Sequence, residues 1–423
     1  MIRIMKYGEI PNDEIFSRVK GLSDVSGAVS EIIADVIKDG DDALKRFSKK
    51  FDGVELTNLE VTKEEIDEAF NSTEPEFIRI LKRAKDNITL FHSNQKRNSF
   101  IINQNGVTMG QKITPIEKVG LYVPGGTAAY PSTVLMDAIP AKIAGCEQIV
   151  MVTPPDKRGK VNPAILCAAH IAGVDRIFKV GGAQAVAALA YGTGSIPKVD
   201  KIVGPGNAYV AEAKKQVFGM VSIDMIAGPS EILIVADKTN DAKIVAADML
   251  SQAEHDRLAS AVLVTDSMEL ASAVSDELER QIPLLERSEI ARASIDNNGK
   301  IIVADDILRA IDIANEIAPE HFELCVDAPF DYLDKIKNAG SVFMGKSCPE
   351  ALGDYLAGPN HTLPTSGTAR FSSPLSVDDF IKKIQYTYYT PEALADCYED
   401  VAYFARKEGL TAHARSAEVR NER

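Results

Sequence analysis

The spacing of apolar residues changes twice along this chain of 423 residues. Between about residues 30 and 95, apolar residues recur every three or four positions, a spacing that predicts amphipathic helices. From residue 118, short β-branched runs alternate with longer helical patterns. This alternation indicates βαβ units and parallel sheets that are buried on both faces. After about residue 374 the strand pattern stops, and the rest of the chain predicts helices.

The alternating elements form two series, which predicts two doubly wound, Rossmann-like parallel-sheet domains in an α/β fold. We expect an inserted α/β domain over residues 122–230 and a discontinuous α/β domain over residues 26–121 and 231–374. An N-terminal segment (1–25) precedes them, and a helical C-terminal tail (375–423) follows. An amphipathic tail needs a surface to pack on, such as a partner subunit. The helices expected in the second series cover residues 241–254, 267–281, 306–316 and 330–338.

Composition favours a cytoplasmic protein that works on a small molecule. Against 47 basic residues stand 61 acidic ones, a net charge of −14, and Lys and Arg are not clustered, so nucleic acid and anionic membranes are unexpected partners. We find no apolar run of the length that a signal peptide or a membrane span needs. The five cysteines are scattered and form no CxxC pair, which argues against a disulfide framework and a thiolate metal cluster.

Two familiar nucleotide-binding patterns do not fit their context. Residues 340–347 match G-x-x-x-x-G-K-[ST], but residues 342–344 look like a strand, and Cys348 and Pro349 stand where the helix of a P-loop should begin. The pattern at 192–197 lacks the third glycine of the Rossmann fingerprint and follows a helical segment. An ATP site of the P-loop type is therefore not expected, and any dinucleotide site must be unconventional.

Three glycine-rich turns lie where predicted strands end and helices begin, at residues 124–126, 204–207 and 227–231. In open parallel sheets, ligands bind at this edge. Glycine lets a ligand approach the backbone, and the first amides of a helix attract anionic or carbonyl oxygens. The alternative is that each turn is a tight βα connection without a ligand.

The stretch "LSQAEHD" (250–256) places Gln252 and His255 three residues apart at the end of a predicted helix. A histidine at this position is often only a cation that the helix dipole stabilises. Imidazole and carboxylate groups also suit Zn²⁺ or a similar divalent ion, and Glu-His pairs suit proton transfer near neutral pH. Spacing alone does not bring these groups into one site. Four of the six histidines lie next to acids or turns: His255, His321, His361 and His413.

Several long motifs together resemble the histidinol dehydrogenase family, in that family's order and spacing from about residue 25 to the C-terminus. The resemblance implies an NAD-dependent enzyme that oxidises L-histidinol to L-histidine through bound L-histidinaldehyde, using two NAD⁺, in histidine biosynthesis. It also implies one Zn²⁺ per subunit and a homodimer with shared active sites, in which the tail is exchanged. The motifs are "VGLYVPGGTAAYPSTVLM", "VGGAQAVAALAYGT", "KVDKIVGPGNAYV", "DMIAGPSEILIVAD", "DMLSQAEHD", "APEHFEL", "AGSVFMG", "ALGDYLAGPNHTLPT" and "GLTAHARS".

The resemblance also assigns roles to individual residues of this sequence. It implies that Glu320 and His321 are the catalytic pair. Our hypothesis for their roles is that His321 takes the hydroxyl proton of the alcohol and that Glu320 activates water for the aldehyde step. His361 matches a family histidine and is expected to be a supporting contact. The implied metal ligands are Gln252, His255, Asp354 and His413 of the partner subunit. The implied substrate contacts are Ser230, Gln252, His255, His321, Asp354, Glu408 and His413, and the implied NAD contacts are Tyr122, Gln184 and Asn207.

Two rival functions remain open from the sequence alone. One is a dehydrogenase of the same architecture that oxidises another small alcohol. The other is a non-catalytic metal- or nucleotide-binding protein, which would take up zinc without forming NADH.

Overall fold

The computed structural model describes residues 1–18, 24–125 and 129–422, which divide into two compact units. The main unit comprises Met1–Gln95 and Glu117–Phe380, and the tail unit comprises Lys96–Ile116 and Ile381–Arg423. The strands of the described residues are β1 (Arg3–Lys6), β2 (Phe100–Gln104), β3 (Val107–Pro115), β4 (Lys118–Tyr122), β5 (Gln148–Val152), β6 (Arg176–Phe178), β7 (Lys201–Val203), β8 (Ser222–Ile223), β9 (Glu231–Ala236), β10 (Ser260–Thr265), β11 (Lys300–Val303), β12 (His321–Cys325), β13 (Ser341–Met344) and β14 (Ile381–Tyr389).

Helices fill most of the chain between these strands. They are α1 (Asn12–Ile15), α2 (Ser26–Asp39), α3 (Asp41–Phe47), α4 (Lys63–Ser72), α5 (Pro75–Ser93), α6 (Pro131–Ala144), α7 (Pro163–Ala172), α8 (Gly182–Tyr191), α9 (Ala208–Val217), α10 (Ala242–Ala253), α11 (Met268–Gln281), α12 (Ser288–Asn298), α13 (Ile307–Ile317), α14 (Glu350–Tyr355), α15 (Pro391–Ala395), α16 (Tyr398–Lys407) and α17 (Thr411–Glu418). The predicted helix over 330–338 is instead a 3-10 stretch, Pro329–Lys335, which begins at a proline. Within the described ranges, every helix is too short or too polar to cross a membrane.

A six-stranded parallel sheet forms one half of the main unit, with strand order β1-β11-β10-β9-β12-β13. Its central strands are buried along almost their whole length, as in Ile232, Leu233, Ile234 and Val235 of β9, because separate hydrophobic clusters cover the two faces. The predicted parallel α/β sheet is thus confirmed. Strand β1 was not predicted; it pairs with β11 at the edge of the sheet.

A five-stranded parallel sheet forms the other half of the main unit, in the order β6-β5-β4-β7-β8. From β4 the chain proceeds outward through β5 and β6, and it then returns to the other side of β4 for β7 and β8. The strand order therefore reverses between β4 and β7. In open α/β sheets, a crevice that binds ligands opens at this point, outside the carboxyl ends of the strands.

The early helices α2 and α3 pack on the half that contains the five-stranded sheet. Val29, Ile33 and Leu44 share one buried cluster with Val186 and Leu189 of α8. Helix α8 is apolar all round and therefore needs cover on the side away from its sheet. The sequence prediction had grouped residues 26–121 with 231–374; the observed core joins the first part of that range to residues 122–230 instead.

The tail unit is built on an antiparallel sheet with the order β14-β3-β2. The prediction that the tail is helical is wrong for Ile381–Tyr389, which is a nine-residue strand paired with β3 along its full length. Its Ile, Thr and Tyr residues favour a strand, but its partner is far away in the sequence. The helices α15, α16 and α17 follow as predicted, and Ala402, Ala405 and Ala414 form a small core between the last two.

Candidate active site

Helix α10 presents a buried amide at its last turn. Asp241 caps the start of the helix by accepting a hydrogen bond from the Lys243 N–H at 2.9 Å. Gln252 is only 1% exposed, and its Oε1 has no hydrogen-bond partner among the described residues. Its Nε2 lies 3.3 Å from Nδ1 of His321. His255 lies in the turn just beyond the helix, where its N–H donates to the Gln252 carbonyl at 3.1 Å.

His321 is the first residue of β12 and is almost fully buried. Its Nδ1 lies 2.9 Å from the carbonyl oxygen of Glu231, which can only accept a hydrogen bond. The ring proton therefore lies on Nδ1, and Nε2 carries a free lone pair. Burial lowers the pKa of His321 to about 4, so the ring is neutral at pH 7. The geometry leaves a neutral imidazole whose Nε2 is available as a base.

Glu320 precedes His321 and contacts the same backbone residue from the other side. Its Oε2 accepts a hydrogen bond from the Glu231 N–H at 2.8 Å. Burial raises the pKa of Glu320 well above its usual range, and the nearby carboxylates Glu231, Asp354 and Glu350 raise it further. The backbone N–H and carbonyl of Glu231, the first residue of β9, thus hold the predicted catalytic pair in place, because β9 and β12 are neighbours in the sheet.

Helix α14 contributes two carboxylates four residues apart, Glu350 and Asp354, which therefore lie on one face of the helix. The Oε1 of Glu350 is 3.6 Å from Nε2 of His321. Potential ligand atoms of His321, Glu350 and Asp354 all lie within 4.8 Å of one another. Burial and the charge of Asp354 raise the pKa of Glu350 to about 8.

Asp354 is held by His361, whose Nδ1 lies 3.3 Å from its Oδ1. Burial opposes ionisation of Asp354, but the hydrogen bond and charge of His361, together with His321 and His255, outweigh it and lower the pKa of Asp354 to about 2. Burial lowers the pKa of His255, whereas Asp354 acts to raise it. These mutual effects show that Asp354 and the three histidines share one electrostatic environment.

The chemistry of this cluster fits a divalent cation. Three buried atoms, Oε1 of Gln252, Nε2 of His321 and Oε1 of Glu350, have no hydrogen-bond partner among the described residues. A buried polar atom without a partner costs about 1–3 kcal/mol, so such atoms are rare unless they serve a ligand. Imidazole nitrogen, carboxylate oxygen and amide oxygen form a donor set that Zn²⁺ and similar ions accept.

The main unit thus brings together Gln252, His255, Asp354, Glu320 and His321. Ser230 directly precedes Glu231, whose backbone holds Glu320 and His321, and its own carbonyl accepts a hydrogen bond from the Ser260 N–H at 3.0 Å. Sequence reasoning missed Glu350, although its spacing of four from Asp354 is a signal that could have found it. It also missed the backbone of Glu231. The two remaining predicted residues, His413 on α17 and Glu408 just after α16, belong to the tail unit and have exposed side chains.

The residues predicted to contact NAD lie at the carboxyl edge of the five-stranded sheet. Tyr122 ends β4, and its buried hydroxyl accepts a hydrogen bond from the Gly182 N–H at 3.1 Å. Gln184 follows in the first turn of α8 and is 2% exposed. Asn207 is exposed and caps α9, where its Oδ1 accepts from the N–H groups of Tyr209 at 3.0 Å and Val210 at 3.2 Å.

The glycine-rich turns have different surroundings. Gly204 has a φ of +115°, and a Cβ on it would lie 2.1 Å from the Tyr122 carbonyl oxygen, so only glycine fits there. Gly228 donates a hydrogen bond to Oγ1 of Thr365 at 2.7 Å. Gly126 of the first predicted turn lies outside the described residues.

The P-loop-like pattern does contain the strand β13, and α14 begins only after Pro349, as predicted.

Two parallel α/β sheets with a buried cluster of imidazoles and carboxylates define an α/β enzyme. Residues 17–421 match the model of the histidinol dehydrogenase family, and the chain belongs to this family. This confirms the predicted resemblance and the enzyme class, an oxidoreductase.

Similar proteins match along the whole chain. The histidinol dehydrogenase of Clostridium acetobutylicum is 55% identical over 426 residues, which cover 99% of each chain. That of Bacillus cereus is 57% identical and covers 94% of this chain and 93% of its own. The crystal structure of histidinol dehydrogenase from Elizabethkingia anophelis has a TM-score of 0.94 and 40% identity, and the match covers 100% of this chain and 98% of that one. The fold described above is therefore the fold of this family.

Proposed function

We propose that this chain is a cytoplasmic, zinc-dependent enzyme that oxidises L-histidinol to L-histidine through bound L-histidinaldehyde, with two NAD⁺, in histidine biosynthesis. The buried cluster around His321 is the observation that carries this proposal, because it combines a neutral base with a donor set for a cation. The names of the similar proteins support the substrate.

The proposed metal ligands are Gln252, His255 and Asp354 of one chain and His413 of the partner subunit. The unpartnered Oε1 of Gln252 and the low pKa of Asp354 suit this role, since both present unprotonated oxygens in a buried site. A bound Zn²⁺ would supply positive charge that fixes and polarises the alcohol oxygen. Ser230 and Glu408 are proposed as further substrate contacts.

His321 is the proposed base for the alcohol. Its Nδ1–H donates to the Glu231 carbonyl, so the ring is oriented and its Nε2 takes the hydroxyl proton while hydride leaves to NAD⁺. Because the ring is neutral down to about pH 4, this base is ready at neutral pH. Its position on a buried strand fixes the direction of Nε2.

Glu320 is the proposed base for the aldehyde step. Its carboxylate would take a proton from water as the water oxygen adds to the aldehyde carbon, and return of that proton to the former carbonyl oxygen would give the gem-diol. Loss of hydride from the gem-diol to a second NAD⁺, and of a proton, would give the acid. A carboxylate whose pKa is raised by burial is a stronger base than an exposed glutamate. Retaining the aldehyde in the site avoids its reaction with free amines.

The proposed site of NAD⁺ is the crevice between β4 and β7, with contacts from Tyr122, Gln184 and Asn207. The reversal of strand order at this place supports the assignment, as does the glycine at 204, which lets a ligand approach the backbone. We further propose a homodimer that exchanges the tail (375–423), so that each active site uses both chains.

The stoichiometry of NADH per histidinol tests this function. We expect two equivalents of NADH, measured by absorbance with limiting histidinol, and no comparable rate with simple alcohols. Removal of zinc with a chelator should abolish turnover, and added Zn²⁺ should restore it. One equivalent of NADH, or equal rates with simple alcohols, would contradict the proposal.

A further inference from the structure

A buried carboxylate, Asp137, lies between the turn at Gly204 and the segment 360–362, outside the candidate active site. Asp137 lies in the buried middle of helix α6, between Met136 and Ala138, and is 0% exposed. Its Oδ1 accepts a hydrogen bond from Oγ1 of Thr362 at 2.9 Å. Its Oδ2 has no hydrogen-bond partner among the described residues, and it lies 3.2 Å from where a Cβ on Gly204 would be. One oxygen of this carboxylate therefore bonds Thr362, and the other lies beside Gly204, in the space that a side chain at position 204 would need.

The Gly204 peptide is held from several directions. Its N–H donates to Oδ2 of Asp224 at 2.8 Å, and its carbonyl accepts from Nζ of Lys214 at 2.9 Å. Lys214 and Asp224 also form an ion pair, with side chains only 2% and 1% exposed. Such a buried pair is stable only when its remaining hydrogen bonds are satisfied, and here they are made to Gly204 and to the Met225 N–H, which donates to Oδ1 of Asp224 at 2.6 Å. This arrangement fixes the turn that leads to Asn207 and α9.

On the other side of Asp137, the segment 360–362 is anchored to α6. Asn360 donates through Nδ2 to the Met136 carbonyl at 2.6 Å, and its Oδ1 accepts from the Thr362 N–H at 2.8 Å. His361 lies between these two anchors, and its Nδ1 faces Asp354 at 3.3 Å. His361 thus connects Asp354 to a segment that is anchored on α6.

Charges from both sides act on Asp137. Burial and Asp224 raise its pKa to about 7, whereas Thr362, His361 and Lys214 act to lower it. Asp224 and Lys214 belong to the Gly204 side, and His361 belongs to the Asp354 side. The charges on both sides therefore act on the pKa of the Asp137 carboxyl group.

We propose that Asp137 is a positioning residue, which links the Gly204 turn to segment 360–362 and so aligns the nucleotide crevice with the cation-binding cluster. This inference rests on the proposed function, in which the Gly204 turn borders the NAD⁺ site and Asp354 belongs to the zinc site. The link gives a role to a fully buried carboxylate, whose burial without a partner would be costly.

The substitution Thr362→Val tests the link, because it removes the hydroxyl and keeps the shape of the side chain. Among the described residues no hydrogen bond joins Thr362 to Gly204, so a purely local role would leave nucleotide binding unchanged. We expect the dissociation constant of NADH, measured by fluorescence of the zinc-loaded protein without turnover, to rise about threefold to tenfold, the range that one lost hydrogen bond gives. We also expect faster release of zinc to a chelator, since segment 360–362 is loosened.

Matched variants separate the link from a general loss of packing. Thr362→Ser keeps the hydroxyl and should restore the affinity for NADH. Thr265→Val is the control, because Thr265 is also 0% exposed and ends a strand of the other sheet; it should leave both readouts unchanged. As a second variant, Asp137→Ala should weaken NADH binding, and Thr362→Val should add nothing further in that background.

The outcomes distinguish this inference from the proposed function. If the unchanged protein binds NADH and the folded Thr362→Val variant binds it equally well, the link is refuted and the function stands. Additive losses from Thr362→Val and Asp137→Ala would also refute the link. If the unchanged protein binds no NADH, the proposed function itself fails.

Discussion

The substitution His321→Asn removes the proposed base while preserving its anchor. The imidazole Nδ1–H donates to the Glu231 carbonyl at 2.9 Å, and the amide Nδ2 of asparagine has a donor at the same place along the side chain. The variant therefore keeps the bond that orients residue 321 but offers no equivalent of Nε2. The Gln252 amide loses only a neighbour 3.3 Å away, so the proposed metal ligands stay in place.

The expected loss follows from the state of the ring. Because the pKa of His321 is about 4, nearly all of the protein carries the base form at pH 7, and removing it removes the full contribution of the base. General-base catalysis contributes about 10²–10⁴-fold, so we expect kcat for histidinol to fall by this factor. We expect zinc content, measured by mass spectrometry, to be unchanged.

The assay is the initial rate of NADH formation at saturating histidinol and NAD⁺, with the zinc content of each preparation measured in parallel. Thr265→Val serves as a control for a buried substitution in the same sheet. A kcat within tenfold of the unchanged protein would remove His321 from the proposed mechanism. Loss of zinc along with activity would instead make His321 part of the metal site.

Three further predictions concern the same site. Glu320→Gln should reduce turnover from histidinaldehyde more than oxidation of the alcohol, and equal losses in the two half-reactions would argue against its role as the base for water. His255→Asn and His413→Asn should each weaken zinc retention, and mixed dimers of the two variants should regain part of the activity; confirmed mixed dimers without any activity would favour sites built within one chain. In the metal-free protein, the pKa of His321 is about 4 in the folded state and about 6.5 in the unfolded chain. As the pH falls between these values, the unfolded chain binds a proton that the folded protein does not, and this favours unfolding. Between pH 7 and 5 the free energy of unfolding should therefore drop by about 2 kcal/mol more than in His321→Asn, and parallel urea-denaturation curves for the two proteins at both pH values would refute this.

The sequence predicted those parts of the fold in which local pattern and burial agree. The strands β9 and β10 are apolar along their length, and both of their faces are covered. A continuous apolar run of this kind predicts a strand in a buried parallel sheet. The strands β1 and β14 were not predicted, because each depends on a distant partner: Ile4 pairs with Ile301, and Ile384 pairs with Lys112. Strand formation by pairing over such distances leaves little local signal.

Much less of the site could be predicted from the residues themselves. Gln252 ends a helix, His321 begins a strand and Asp354 ends a short helix, so only the tertiary fold and the family resemblance join them. Glu350 carried a usable signal, its spacing from Asp354, but the backbone groups of Glu231 carried none. A peptide N–H and carbonyl orient Glu320 and His321 here, and any residue type supplies those.

Buried polar residues on helices are a further signal in the sequence. Asp137, Lys214 and Gln252 are polar residues that lie 0–1% exposed on helices α6, α9 and α10. Burying such groups costs free energy unless a specific partner compensates, so a polar residue at an inward position predicts that the fold has brought a partner to it. Lys214 has that partner in Asp224, and Asp137 has it in Thr362. Two atoms of this set have no hydrogen-bond partner among the described residues, Oε1 of Gln252 and Oδ2 of Asp137. The Gln252 side chain lies beside His321 in the buried cluster, which supports a ligand there, whereas Oδ2 of Asp137 lies toward Gly204, which supports a connecting role.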